Sequence, residues 1–521
     1  MRAFSRRGFL AALGVGAAGA CSDDGDRARE ELKRALASTT TLAPTSSTAP
    51  PAPVLPGNPF TLGVASGDPL SDRVVLWTRL LPDVASGFTI TDAEVPVSWE
   101  VGVDDTFATL AASGIATASE RYGHSVHVDA EGLEPDTWYA YRFRVGEHVS
   151  PTGRTRTVPA EGTTPDQLRF AVASCQNWED GFYNAWRDVA TVELDLVLFL
   201  GDYIYENGPQ PLGPKVVRQH GSPEVTDVAG YRGRYAQYRS DPLLQAVHQR
   251  CPWIVIWDDH EVDNDYAGVH SQLESEGVTR DQFLARRAAA YQVWWEHMPV
   301  RLDPPDGPDL KTYRSFRWGD LASMFMLDTR QYRDDQPCGG SGLNFDPPCP
   351  EVDDPSRTLT GTDQEQWLLD GLDASTTTWN IIGNQVVMTA IEVNGIVLNY
   401  DQWDGYRAER ARLLDHLVDK EIVNTVVVTG DIDTLIATEL VCNSISSDAD
   451  LPAGRGDTVT AAVADIEYFD ADHRGWCHCV VTPETWTAEF RAVADNLIET
   501  SPVSVAATFE ISPDEPGAKR V

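Results

Sequence analysis

An unbroken apolar run, Leu196-Val-Leu-Phe-Leu200, stops at Gly201 and is followed at once by Asp202, Tyr205 and Glu206. Asp202 is a hard oxygen donor able to bridge two cations, and Tyr205 is a phenol that suits a trivalent metal. By itself Asp-x-x-Tyr fits a turn-capping aspartate beside a partly buried tyrosine equally well. The arrangement recurs, however. Leu168-Arg-Phe-Ala-Val-Ala173 runs into Ser174-Cys175-Gln176, Trp253-Ile-Val-Ile-Trp257 into Asp258-Asp-His-Glu-Val-Asp-Asn264, and Thr425-Val-Val-Val-Thr429 into Gly430-Asp431. Oxygen, nitrogen and sulfur donors that follow four apolar runs and converge on one sheet edge predict a metal site.

Those donors need a scaffold that aligns strand ends. Continuous apolar runs of this length suit strands covered on both faces, and helix-compatible stretches such as Phe182 to Val192 lie between the first three. A glycine at the strand exit lets Asp202 emerge at the carboxyl end of the sheet, where open α/β sheets place their ligands. Phe283 to Trp295 has helical periodicity and aromatics near its end, which predicts a core-facing stripe.

Ser174-Cys175-Gln176, Gly201-Asp-Tyr-Ile-Tyr-Glu206 and Trp257-Asp-Asp-His-Glu-Val-Asp-Asn264 resemble the PhoD-type alkaline phosphatases. So do Leu327-Asp-Thr-Arg330, Ile382-Gly-Asn-Gln385 and Asp401-Gln-Trp-Asp-Gly-Tyr406, in the family's order, and the likeness runs from near Phe60 to near Phe490. The resemblance implies an α/β (α+β) metallophosphoesterase sandwich of two mixed β-sheets flanked by helices, similar to the purple acid phosphatases but with a cysteine ligand and calcium. It implies an exported phosphomonoesterase or phosphodiesterase with iron held by Cys175 and Tyr205. Asp202 would bridge to calcium, with Asn264 and Asp431 as further ligands. His260, Asp259 and Arg330 become the candidate catalytic residues. His260 would contact phosphate or orient a ligand, and Arg330 would either clamp a phosphate oxygen or pair structurally with an aspartate. Asp404 and Tyr406 would line the pocket.

One position departs from the family. Its Gly-Asp-Val-His reads Gly430-Asp431-Ile432-Asp433 here. An anion replaces a neutral imidazole near the expected phosphate, so Asp433 is expected either to take up a hard cation or to impair turnover. The alternatives this leaves are a phospholipase D-like enzyme on the same scaffold and a surface protein that binds phosphoesters or cations without turnover.

The chain has 521 residues and a net charge of −38, which argues against nucleic acid and anionic membranes as partners. A small phosphoester is the expected partner, and a monomer the expected state. Ser5-Arg-Arg-Gly-Phe-Leu10 before a mild apolar run reads as a twin-arginine export signal. The run ends Ala18-Gly-Ala-Cys21, resembling a lipoprotein site with Cys21 as the acylated residue, although the usual leucine is missing. Extracellular, cell-surface or periplasmic placement follows.

The expected domains are a signal over 1–21, a Ser/Thr/Pro-rich linker over 22–58, an all-β sandwich over 59–160 and the catalytic domain over 166–500. Short alternating strands such as Val74–Trp77, Val95–Trp99 and Tyr139–Phe143 predict the sandwich, and Leu133 to Tyr141 resembles a fibronectin-type corner. Gly201 to Gln219 and Asp334 to Arg357 are long insertions expected to shape the pocket mouth. Cys338 and Cys349 flank a loop that a disulfide would close in an oxidising compartment. Cys442, Cys477 and Cys479 offer a further pair of undetermined connectivity. On a strand, Cys477 and Cys479 share a face with His478 opposite, which favours buried or bridged cysteines over a zinc site.

Overall fold

Unbroken burial along the central strands, on both faces, explains the architecture. In a computed structural model that describes residues 55, 57–82, 90–340, 347–393, 395–430, 439–448, 463 and 466–521, two mixed sheets lie at the heart of the molecule. The export signal, Cys21, Asp431 and Asp433 lie outside the described residues. Residues 52–521 form one unit.

The larger sheet has ten strands, ordered Glu515–Arg520, Val503–Ser512, Trp486–Val493, Arg474–Val481, Leu168–Ala173, Leu196–Leu200, Trp253–Ile256, Val64–Gly67, Arg73–Arg79 and Ser125–Glu131. Its four central members, from Leu168–Ala173 to Val64–Gly67, are parallel, and the strands outside them are antiparallel. A five-stranded sheet holds Arg314–Trp318, Ala322–Met326, Trp379–Asn384, Thr425–Thr429 and Glu439–Val441. Thr425–Thr429 therefore belongs to a different sheet from the other three donor-bearing strands, and the expected convergence on one sheet edge is corrected to a convergence of two sheets. An apolar run records burial on both faces but not the partner strand, so the sequence does not distinguish these cases.

Strand alternation joins the layers. Met324, Ile381, Val426 and Val428 bury toward the large sheet, within the cluster that holds Leu198 and Ile254. Phe325, Ile382 and Val427 turn the other way, onto Leu368, Leu372 and Leu413 of helices Thr362–Ala374 and Arg407–Asp419. Helices also cover the large sheet. Trp186, in helix Asn184–Val189, sits with its ring 5.3 Å from Trp253 and 6.1 Å from Phe199. The longest of these helices, Arg280–His297, begins with a reciprocal cap between Thr279 and Gln282 and buries Tyr291 and Trp294. The stripe expected over Phe283 to Trp295 is core-facing.

The N-terminal region is all-β. Leu110–Ser119, Glu94–Gly102, Trp138–Val145, His148–Val149 and Gly153–Arg156 form a five-stranded antiparallel sheet. Its inner face, with Val97, Val101, Tyr141 and Phe143, packs on Val64, Val74, Leu76 and Val128. The fibronectin-like corner is visible at Tyr139, whose hydroxyl accepts a hydrogen bond from the Glu134 amide at 2.9 Å. The second layer of this sandwich, however, is the end of the ten-stranded sheet: Val64–Gly67 pairs in parallel with Trp253–Ile256. Cys338 and Cys349 form the expected disulfide. Cys477 and Cys479 are buried on one face with their sulfurs 3.7 Å apart, unbridged.

Trp77 fastens the shared strands to the helical layer. Its indole N–H donates to the Glu296 carbonyl at 2.9 Å, and the Arg239 guanidinium lies 3.9 Å over its ring. Trp77→Ala is expected to destabilise the protein by about 3–5 kcal/mol, the range for removing a large buried aromatic, read as a lower thermal and urea midpoint. A loss under about 1 kcal/mol would show that this side chain does not anchor the two layers.

Candidate metal centre

Three strand exits meet because one of them has no side chain. Gly201 adopts φ +109°, and a Cβ there would fall 2.4 Å from Asp258 Cβ and 2.8 Å from the Asp258 amide nitrogen. Only glycine allows the turn after Leu196–Leu200 to lie against the turn after Trp253–Ile256. The next residue, Asp202, is held at φ +58°, and Cys175 at the neighbouring exit has φ +54°. Non-glycine residues in that region are strained, and such strain concentrates at functional sites. The Cys175 amide donates to the Gly201 carbonyl and the Gln176 amide to the Asp202 carbonyl, each at 3.1 Å, so these two turns continue pairing past the strands. Gly430, from the opposed sheet, packs against the same place: a Cβ on it would lie 3.0 Å from Ser174 Cβ and 3.1 Å from the Leu200 carbonyl.

The result is a buried group of carboxylates. Asp202, Asp258 and Asp259 each offer an oxygen, and these lie within 4.8 Å of one another. Asp202 Oδ2 accepts from the Tyr205 hydroxyl at 3.0 Å, whereas Oδ1 is buried with no hydrogen-bond partner. Ser447 Oγ lies 2.7 Å from that hydroxyl and 2.8 Å from the Cys175 carbonyl. The His260 ring stacks on Tyr205 at 4.0 Å, with Nδ1 2.7 Å from Glu206 Oε2. Glu206 Oε1 accepts from the Asn264 amide at 3.0 Å, and Asp259 Oδ2 from the Asp265 amide at 2.6 Å.

Behind this group, Arg330 donates to Asp258, lies 3.3 Å from Asp259 and pairs with Asp401 at 2.8 Å, while Arg333 reaches Asp401 at 3.0 Å. Arg330 is buried and its donors face carboxylates, as the structural pairing requires. Burial raises the Asp202 carboxyl well above its usual range, with His260 opposing and Asp259 and Asp258 adding. Burial also pushes Asp258 up to about 7 despite Arg330. At Asp259, burial is outweighed by Arg330 and His260, which hold it at about 2. His260 is raised well above the usual imidazole value, because Glu206, Asp202 and Asp259 outweigh its burial. Burial, then Asp202 and Cys175, raise the Tyr205 phenol.

Burial and the added repulsion raise Asp202 and Tyr205, and a bound cation would oppose both. The bare Asp202 Oδ1 opens on a cleft also lined by Asp259, the Tyr205 phenol and the Cys175 thiol, a donor set that fits a metal ion. A cleft of about 480 Å³ opens here and gathers Cys175, Asp202, Tyr205, Asp259, His260 and Asn264, drawn from three separate strand exits. Asp404 and Tyr406, expected at the pocket, are instead buried away from it. Asp404 pairs with Arg410 at 2.8 Å, and the Tyr406 hydroxyl donates to the Asp334 carbonyl at 2.6 Å. It is Asp401 and Gln402 of that motif that line the cleft, because Trp403–Tyr406 is a helical turn whose buried side chains face the core.

Sequence reasoning gave no role to Asp258, Glu206, Glu261, Asp401 or Ser447. The first four stand inside recognised motifs as carboxylates, so the signal was present. Ser447 lies in a loop with nothing in its neighbours to mark it.

Comparison with known proteins agrees with this geometry. Residues 170–490 match the PhoD-like phosphatase model and residues 46–159 the model of the PhoD-like phosphatase N-terminal domain. The chain belongs to the PhoD-like phosphatase family. It is 42% identical over 494 residues to alkaline phosphatase D of Bacillus subtilis (strain 168), covering 90% of this chain and 84% of that protein. A solved structure described as the structure of PhoD superimposes with a TM-score of 0.83 at 42% identity, covering 90% of this chain and 93% of the other. The mixed-sheet sandwich with an all-β N-terminal region is thus the fold of a PhoD-like phosphatase.

In this PhoD-like chain, Gly201→Ala should force the two turns apart. Strain at the backbone alone is worth about 1–3 kcal/mol. The variant is expected to unfold at lower temperature and to lose bound metal by elemental analysis. Unchanged metal content would show that the close approach of Gly201 to Asp258 does not set the site.

Proposed function

We propose that this protein is an exported, metal-dependent phosphoesterase that works at the Asp202 cleft on phosphomonoesters, phosphodiesters or both. Membership of the PhoD-like phosphatases makes it a phosphoester hydrolase. The observation that carries the metal dependence is the buried, unpartnered Asp202 Oδ1 beside Asp258 and Asp259. In the reading that the family resemblance implies, Cys175 and Tyr205 would hold iron and Asn264 and Asp431 calcium, with Asp202 a ligand to both. Asp433, which stands where the family has a histidine, would take up a hard cation. Paired cations would withdraw charge from the phosphoryl oxygens and make a water acidic enough to attack near neutral pH.

The chain's own groups do the rest. Glu206 fixes the His260 ring through Nδ1 and keeps the imidazole charged, so that His260 can hydrogen-bond a phosphoryl oxygen or hand a proton to the departing alkoxide. Arg330 balances Asp258 and Asp259 from behind, which limits repulsion of an incoming anion. Asn264 contributes a neutral amide at the cleft wall. Val216 is the one aliphatic side chain among the described residues of the cleft lining, so the cleft is not shaped for an acyl chain and the phospholipase alternative is not favoured. Twin-arginine export, acylation at Cys21 and a monomeric state complete the proposal.

Hydrolysis of p-nitrophenyl phosphate and bis(p-nitrophenyl) phosphate tests it. Activity should vanish on chelation and return with metal. Asp202→Asn should lower kcat by about a hundredfold or more, the scale of losing one group that stabilises the transition state. Full activity in chelator, or in the variant, would remove Asp202 from the reaction.

The metal assignment has its own optical test. A phenolate on ferric iron gives a visible charge-transfer band, so the purified protein should be coloured and Tyr205→Phe should bleach it. A colourless, fully active, zinc-only protein would refute iron at Cys175 and Tyr205.

A further inference from the structure

We propose that Glu261 is the positioning residue that sets the separation of Asp202 from Asp258 and Asp259. Its carboxylate receives three backbone amides from two different turns. Oε2 accepts from the Asp202 amide at 3.0 Å and the Asp258 amide at 2.8 Å, and Oε1 accepts from the Tyr203 amide at 2.5 Å. Glu261 is itself buried, and it stands two residues after Asp259 on the same turn.

The two turns cannot continue the parallel ladder that joins their strands, because Gly201 and Asp202 both have positive φ. The amides of Asp202 and Tyr203 therefore point inward without strand partners. Left unpaired in a buried place, each would be destabilising. A single carboxylate that takes amides from both turns satisfies them and fixes the distance between the turns. It also does so without engaging Asp202 Oδ1, which stays bare for a cation.

The inference rests on the metal-dependent reading of the cleft. Glu261→Gln keeps the volume but leaves one acceptor oxygen and turns an NH2 group toward a backbone N–H. Groups that orient metal ligands without touching the metal typically change metal affinity by about 10–100-fold when replaced. Two readouts are used on the full chain: metal retained per chain after desalting, and the metal concentration that gives half-maximal hydrolysis. Glu261→Gln is expected to shift the second upward about 10–100-fold and to lower the first. Glu409→Gln is the matched control, since Glu409 is buried and accepts the Leu359 and Thr360 amides, and none of the three lines the cleft. It should lower the thermal midpoint and leave both metal readouts alone.

Metal retention and half-saturation in Glu261→Gln equal to those of the unaltered protein would overturn the assignment. Hydrogen exchange on the unaltered protein after chelation gives a second test that needs no variant to fold. The amides of Asp202, Tyr203 and Asp258 should stay protected without metal, and exchange as fast as in exposed loops would overturn it as well. An unaltered protein that hydrolyses phosphoesters without metal would instead fail the metal-dependent reading itself, and is recognised before any variant is made.

Discussion

Mutual repulsion among Asp202, Asp258 and Asp259 is the constraint around which the centre of this molecule is organised. Three carboxylates withdrawn from water at such short range disfavour one another strongly, and the surrounding residues each answer part of that penalty. Arg330 and Arg333 tie Asp258 and Asp401 into a buried ion network, in which losing any one partner would strand an unpaired charge. His260, clasped by Glu206, adds positive charge on the cleft side. What these groups leave unanswered is concentrated on Asp202, whose free oxygen faces no donor. A chain carrying a net charge of −38 has thus kept its compensating cations where an anionic substrate must arrive.

The same constraint explains why the site is built from two sheets. A single row of parallel strand ends places its donors side by side, about one strand spacing apart. Gly430, at the end of a strand in the opposed sheet, comes in across the sandwich to lie against Ser174 and Leu200. Strand ends can then close on a point from two sides instead of lining an edge. The helices on the outer faces serve this arrangement by holding each sheet rigid, as when Phe325, Ile382 and Val427 seat on Leu368 and Leu413.

Much of this was legible in the sequence. The apolar runs ending at Cys175, Gly201 and Asp258 identified strands and their exits, because continuous burial leaves no polar alternation. Sheet membership of Thr425–Thr429 was not legible, since a strand buried on both faces carries no mark of its neighbour. Arg330 illustrates a second limit: an arginine's partners are fixed by residues distant in the chain, and Asp258 and Asp401 claim its donors. Asp404 and Tyr406 show a third, for a short helical turn reverses which members of a motif face the cleft.

The pairing of Val64–Gly67 with Trp253–Ile256 has a consequence for how the chain reaches its fold. The strands Val64–Gly67, Arg73–Arg79 and Ser125–Glu131 are made first, yet the strand beside which they belong arrives only after Leu168–Ala173 and Leu196–Leu200 have been synthesised. Until then one layer of the N-terminal sandwich has an open parallel edge at Val64–Gly67, and the catalytic strands lack the neighbours that close theirs. Pairings between distant segments form slowly and leave edges open to other chains meanwhile. The N-terminal region is consequently less an appended module than the first half of a sheet that waits for its second. Its exchange for another fibronectin-like domain would remove three strands from the catalytic core.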